Sequence, residues 1–244
     1  MTVINPNVEV FNRDVANNEG YRYTTNIRLS SQLATQRSTD TILGLDPFTD
    51  RSVVDVGCGD DFYTLRFWDA GRPRSLSGVD SAERAIALAN TRKGDRPIDF
   101  QVGDAHRLPY PDDSFDLALV QSILHHDDNP QDIIREAFRV APEILIHEPN
   151  GYNVGLKVIE RLSPYHREHR ERSHTTRQVT RWIEQSGGRV IRRRFAGFVP
   201  MFSPAPLAQV MKAVEPVVER TPFLRTFGCA VYVLVARRDG QRPR

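Results

Sequence analysis

Cysteine is scarce in this 244-residue chain. Two thiols, Cys58 and Cys229, cannot make a disulfide framework, which fits a reducing compartment. Long apolar runs are absent too, and none approaches the ~20 residues that a membrane-spanning helix needs. The opening residues, MTVINPNVEVFNRD, have neither the basic nor the apolar stretch of an export signal. These absences predict a soluble, cytoplasmic protein with no membrane partner. Net charge is only +2, so there is no global pull toward nucleic acid. Lysine is rare, with Lys93, Lys157 and Lys212 the three among 33 basic residues. The arginines cluster: ten lie between Arg161 and Arg194 against three acids, Glu168, Glu171 and Glu184. A solvated helix face is the favoured reading of that cluster. A site for an anionic acceptor is the sharper one, since guanidinium forks suit carboxylate and phosphate.

What the chain does have is alternation. Short β-branched or apolar runs are predicted as strands over Ser52–Val56, Arg74–Val79, Ile98–Val102, Phe115–Val120, Ile144–His147, Arg189–Phe195 and Cys229–Ala236. Helical patterns fall between them at Asp61–Ala70, from Ser81 as N-cap, at Pro130–Ala141 and at Thr175–Ser186. Two more helices are expected at Leu29–Leu43 and Leu207–Glu219. Strands alternating with helices imply βαβ units and a parallel sheet, an α/β fold. The stretches 1–50, 149–173 and 195–229 do not fit a minimal sheet and read as caps over its ligand edge.

The strongest local feature is a series. The first three strands each end in an acid: Asp55, Asp80 and Asp104. Ligands of open α/β sheets bind at the carboxyl ends of strands near the switch point, so three neighbouring strand ends bring three carboxylates to one crevice. Gly57 and Gly59 occupy the first strand-to-helix turn, where glycine lets a ligand approach the backbone. A dinucleotide site asks for G-x-G-x-x-G, but Gly57-Cys-Gly59-Asp60-Asp61-Phe62 places phenylalanine last and two acids where a pyrophosphate would be repelled. A cationic, phosphate-free nucleoside suits such a site better.

These residues resemble the class I S-adenosylmethionine-dependent methyltransferases. Val53-Val-Asp-Val-Gly-Cys-Gly-Asp looks like that family's first motif and Leu76-Ser-Gly-Val-Asp80 like its second. Val102-Gly-Asp104-Ala105 resembles the third, and Phe115 to Val120 the fourth. The resemblance covers roughly residues 50–150, about one domain core. It implies a Rossmann-like, doubly wound, mostly parallel seven-stranded sheet with an antiparallel last strand and helical caps at both ends. It also implies a single domain over 1–244: an N-terminal cap (1–50), a cofactor-binding core (51–150), and acceptor-side elements with the last strands (151–244). The implied cofactor is S-adenosylmethionine. Asp55, Gly57, Cys58 and Gly59 would cradle its methionine part, Asp80 would hold the ribose hydroxyls, and Ser81 is a further cofactor-binding candidate. Asp104 and Ala105 would face the adenine, and Gln121 or Ser122 the methionyl end. Members often close an N-terminal segment over the cofactor, which brings Tyr23 near it. Asp61 stands where the family often has a third glycine, and would either narrow the turn or meet the cofactor's ammonium group.

Methyl transfer depends on positioning, and a hydroxyl acceptor also gains from a base. His125, His126 and Glu148, after the fourth and fifth strands, are the candidates. Each has a bland reading as well: packing or capping for the histidines, loop fixing for Glu148. His166, His169 and His174 match no zinc spacing and read as solvent-exposed, so no metal site is expected. The expected acceptor is a small molecule, methylated at oxygen or nitrogen. Macromolecular methylation is the alternative, disfavoured because Gln121-Ser-Ile-Leu replaces the N/D-P-P-Y/F/W motif and no Pro-Cys pair exists. A non-catalytic cofactor-binding scaffold stays open, as does a homodimer.

Overall fold

The computed structural model describes residues 8–22, 24–45 and 47–240. The chain begins with α1 (Val8–Asn18) and α2 (Leu29–Leu43), then enters the sheet at β1 (Ser52–Val56). There follow α3 (Phe62–Gly71), β2 (Ser75–Asp80), α4 (Glu83–Arg92), β3 (Ile98–Val102), β4 (Leu117–Gln121), a single 3-10 turn (Leu124–His126), α5 (Pro130–Val140) and β5 (Glu143–Pro149). Two helices, α6 (Val154–Leu162) and α7 (Pro164–Glu168), precede α8 (Thr176–Gln185) and β6 (Gly188–Ala196). The chain then runs through α9 (Ala205–Arg220) and α10 (Pro222–Gly228) into β7 (Val231–Arg238).

The seven strands lie in the order β3-β2-β1-β4-β5-β7-β6. β7 alone runs against the direction of the other six strands, inserted between β5 and β6. The central strands are buried on both faces, and their alternate residues serve two separate layers. Val54, Val56, Ala118 and Val120 pack toward Ile133, Ile134 and Phe138 of α5 and Val179 and Ile183 of α8. Val53, Leu117, Leu119 and Leu145 pack the other way, toward Ile42 of α2, Phe67 of α3 and Ile86 of α4. Chain direction across the sheet reverses between β1 and β4, which opens the crevice at their carboxyl ends.

Several local expectations shift. Ser81 does not cap a helix: α4 starts later, with Ala82 at the N-cap position, and the Ala82 N–H donates to Asp80 Oδ1 at 2.8 Å. The acid at the strand end takes over the capping work. β4 begins at Leu117 instead of Phe115, because the Asp116 carboxylate turns back to accept from the Ser52 N–H and hydroxyl, both at 2.9 Å. Thr175 does cap α8, in a reciprocal box with Gln178.

The stretches outside the sheet are mostly helical. α2 buries hydroxyl residues at Ser30, Ser31, Thr35, Ser38, Thr39 and Thr41. Thr35, Thr39 and Thr41 each donate to the carbonyl four residues back, which satisfies them without a tertiary partner. Ser30 and Ser31 donate to Met201 O, and Arg37 pairs with Glu219 and Glu215, so α2 holds the segment leading to α9.

Candidate active site at the carboxyl edge of the sheet

The turn after β1 is built on left-handed backbone: Gly57 has φ +75° and Gly59 φ +59°. The Gly57 and Cys58 N–H groups both donate to Val79 O, at 2.7 and 3.1 Å, which folds the turn against β2. A Cβ on Gly57 would lie 2.2 Å from Ile123 Cγ2, and one on Gly59 2.6 Å from Tyr21 Cε2. Glycine is therefore required twice over, by backbone angle and by space. Asp80 locks the turn from the side. Its Oδ2 accepts from Gly59 N–H at 3.0 Å while Oδ1 holds the start of α4, and burial raises its pKa. The buried Cys58 thiol lies beside it.

Asp55 sits beneath the turn, 2% exposed. Its Oδ2 accepts from the Thr64 hydroxyl at 2.6 Å, while Oδ1 has no partner among the described residues. Burial pushes its carboxyl up to about 7. Gly103 N–H donates to Asp80 O, so Asp104 follows at the next strand end along the same edge. The three acids thus occupy the ends of three adjacent strands.

Asp104 is not free to face a ligand with both oxygens. Its Oδ1 accepts from the His106 N–H and lies 2.9 Å from His106 Nδ1, while His106 Nε2 lies 3.2 Å from Asp127 Oδ1. The bonds to Asp127 and Asp104 raise His106 to about 9, so its ring is a cation joining the loop after β3 to the loop after β4. Ala105 packs beside it against the core.

The N-terminal segment covers the glycine turn. Asp60 Oδ2 accepts from the Tyr21 N–H at 3.0 Å and the Thr24 hydroxyl at 2.7 Å, with Arg92 3.5 Å away. Tyr23 lies outside the described residues, and the tyrosine resting on Gly59 is Tyr21. Burial, with Asp80 and Asp60 nearby, raises the Tyr21 hydroxyl. Asp61 is buried in the left-handed region at φ +72°, with Oδ1 3.7 Å from Arg92 and Oδ2 without a partner among the described residues. Burial pushes it up to about 7. Left-handed backbone costs a non-glycine residue about 1–2 kcal/mol. Asp61→Gly is accordingly expected to raise the unfolding temperature by roughly 2–8 °C. A thermal melt showing a drop instead would assign the Arg92 contact a larger role than its length implies.

On the other wall, Gln121 ends β4 with both amide atoms buried and unpartnered among the described residues. Ser122 follows with φ +56°, its N–H donating to His147 O at 2.8 Å. Glu148 is fully buried. Its Oε1 accepts from the Ile123 and Leu124 N–H groups, each at 2.9 Å, and its Oε2 lies 2.7 Å from His125 Nδ1. Both oxygens are engaged in building the turn after β4. Burial pushes Glu148 up to about 7 and His125 down to about 3, so the His125 ring is neutral. His126 stacks near it at a centroid distance of 3.9 Å, and its Nδ1 lies 3.1 Å from His169 O. Phe11 of α1 meets the His126 ring edge-on at 5.0 Å.

The second histidine group departs from expectation. His169 is 3% exposed, and His166 and His174 are half-buried. The reason is that the segment after α7 folds back on the 3-10 turn: Arg172 N–H donates to His125 O, and His174 Nε2 lies 3.3 Å from Leu124 O. Among the described residues no group of three or more histidines, cysteines or acids is arranged to hold a metal ion. Sequence reading missed Tyr21's place, Asp60, Arg92, His106 and Asp127. For His106 alone a signal existed, a histidine two residues past a strand-end acid.

The methyltransferase-domain family matches residues 54–143, the segment that carries the glycine turn and the strand-end acids. Over those residues the chain is similar to a methyltransferase domain. The chain is 35% identical over 113 residues to 27-O-demethylrifamycin SV methyltransferase of Amycolatopsis mediterranei, a match covering 44% of this chain and 41% of that one. The chain thus spans well under two-thirds of that relative's length. By fold it resembles a methyltransferase of Thermotoga maritima, with TM-score 0.71, 18% identity, and 95% and 99% of the two chains covered. It also resembles magnesium protoporphyrin IX methyltransferase of Synechocystis with bound S-adenosylhomocysteine, with TM-score 0.66, 14% identity, and 95% and 97% covered.

Proposed function

We propose that the chain transfers the methyl group of S-adenosylmethionine to a small-molecule acceptor, at oxygen or nitrogen. What supports this reading is that the glycine turn, Asp80 and the unpartnered Gln121 amide stand at the carboxyl ends of the adjacent strands β1, β2 and β4. A buried primary amide with no partner is costly, and a polar ligand group in the crevice would satisfy it. The same applies to Asp55 Oδ1. The relatives named above for rifamycin and porphyrin substrates support a small acceptor.

When bound, the cofactor supplies an electrophilic methyl carried on a sulfonium. In this reading Asp80 accepts from the ribose hydroxyls and Asp104, braced by His106, faces the adenine. Gly57, Cys58 and Gly59 present backbone to the methionine part, with Gln121 and Ser122 beside it. Tyr21, tied down through Asp60, closes the turn from above and excludes water. His125, neutral and oriented by Glu148, is the candidate relay for a proton from a hydroxyl acceptor: its ring resists holding a second proton, so the proton on Nδ1 would pass to Glu148, 2.7 Å away and raised to about 7. His126 and Glu148 position it. Charge stabilisation matters less here than alignment, because a displacement at carbon gains most from a fixed line of attack.

Calorimetry with S-adenosylhomocysteine tests the cofactor half, and NAD serves as the control. Saturable binding and a raised melting temperature with the first alone are expected. A shift with NAD and none with S-adenosylhomocysteine would sink the reading. Release of S-adenosylhomocysteine in the presence of phenols, alcohols and amines then tests the acceptor class.

A further inference from the structure

The outward faces of α6, α9 and α10 are apolar. On α6, Val154, Val158 and Leu162 are 68%, 49% and 72% exposed, and the helix buries none of its residues. On α9, Leu207, Val210, Val214 and Val217 recur at the three-four spacing of a single helical stripe, each between 42% and 63% exposed. On α10, Phe223 is 71% exposed, and its ring lies 5.0 Å from that of Phe227. Helices on a water-facing surface ordinarily turn polar residues outward. The three faces adjoin. α9 packs on α10, the Asn153 amide just before α6 donates to Gly228 O, and the Tyr152 ring lies 6.2 Å from Phe227. A contiguous apolar patch of this kind marks an interaction site.

Charge decides what covers it. The three helices hold three acids, Glu160, Glu215 and Glu219, whose side chains are 9%, 4% and 11% exposed. All are turned inward and paired, Glu160 with Lys157, Glu215 with Lys212 and Glu219 with Arg37. Arg161, Arg220 and Arg225 on the same helices are exposed, and no ion pair described among these residues uses them. The outward surface is thus apolar side chains bordered by arginine, with no acid. A two-fold dimer through this face would set arginines against arginines without a carboxylate between them. A lipid surface with anionic headgroups matches both features: the apolar side chains enter the headgroup–acyl boundary while guanidinium groups meet phosphates.

We propose that α6, α9 and α10 dock the protein on an anionic lipid bilayer as a peripheral contact. None of the described helices is long and apolar enough to cross a membrane, and docking requires none to cross. The sequence-level expectation of no membrane partner rested on the lack of a spanning segment, which does not bear on a face that lies on the surface. All three helices lie in connections that leave or re-enter the sheet at its carboxyl edge, α6 after β5 and α9 and α10 between β6 and β7.

Vesicle sedimentation tests the proposal. The probes are unilamellar vesicles of phosphatidylcholine and phosphatidylglycerol in equal parts, and of phosphatidylcholine alone. The parent protein is expected to sediment with the anionic vesicles at least about tenfold more strongly, with salt reversing the effect. Leu162→Ser/Val217→Ser/Phe223→Ser is expected to lose about tenfold or more in binding, as is Arg161→Glu/Arg220→Glu/Arg225→Glu. All six sites are exposed, so circular dichroism and binding of S-adenosylhomocysteine should match the parent. Three outcomes overturn the proposal. One is a parent that stays in the supernatant at low salt. Another is a dimer, seen by light scattering, that the serine variant dissociates, which would make a second copy the cover. The third is binding to polyglutamate with none to vesicles, which would point to an acidic polypeptide.

Discussion

Glu148→Ala is expected to destabilise the fold by about 3–5 kcal/mol, measured by urea unfolding. Truncation strands three groups at once: the Ile123 and Leu124 N–H donors and His125 Nδ1, all packed around a fully buried carboxyl. The loss would reach the crevice, because Ile123 is the side chain that abuts Gly57. Glu148→Gln keeps an acceptor for the two backbone amides and is expected to lose roughly half as much. A small effect of Glu148→Ala, below about 1 kcal/mol, would show that water replaces the carboxyl and that the turn stands without it. His125 gives this region a pH signature. Its folded pKa lies at about 3, below the ordinary 6.5, so its contribution is complete above pH 6.5 and is lost as pH falls toward 3. Glu148, raised to about 7, acts in the opposite sense: its share is complete below its ordinary 4.5 and lost as pH rises through 7. Below pH 4.5 the Glu148 share is constant, and His125→Asn should make the acid limb shallower by the His125 share, the remainder coming from His126, His147, His166 and His174, which burial also lowers.

Asp80→Ala is expected to weaken binding of S-adenosylhomocysteine by about 100-fold or more, through two losses that a variant pair separates. The first is structural, since Gly59 N–H and Ala82 N–H lose their acceptor and the glycine turn loosens. The second is the proposed charge-assisted contact to the ribose hydroxyls. Asp80→Asn retains one side-chain oxygen and is expected to fall between alanine and the parent in a titration calorimeter. Parent-like affinity in Asp80→Ala would remove Asp80 from the site. Because the enclosed carboxyl is raised by burial, its replacement also relieves a desolvation penalty, so affinity should fall further than stability does.

Some residues of the site were readable before any coordinates. Asp55, Gly57, Gly59, Asp80 and Asp104 stand at fixed offsets from β-branched runs, so strand periodicity alone carries them to strand ends. Tyr21 could not be read that way. Its place over Gly59 depends on its own N–H donating to Asp60, 39 residues on, and no local pattern distinguishes it from Tyr23. Glu148 was legible as a strand-end acid, but its task was not: only the packed structure shows that its oxygens bind groups 24 and 25 residues earlier. The histidines of the 154–174 segment looked solvated because arginines surround them in sequence. His169 is buried because α1 and the 3-10 turn close on it from elsewhere in the chain.

The sequence by itself determined the order of the seven strands and of the helices that alternate with them, the glycine turn and the row of strand-end acids, since these follow from local conformational preference and the two-residue period of a strand; α1, α6, α7 and α10 were not read from it. Tertiary structure alone decided which carboxylates face one another, which tyrosine covers the turn, and which helix faces remain outside the core. Those outcomes depend on burial and on hydrogen bonds between segments distant in the chain, and no local preference encodes either.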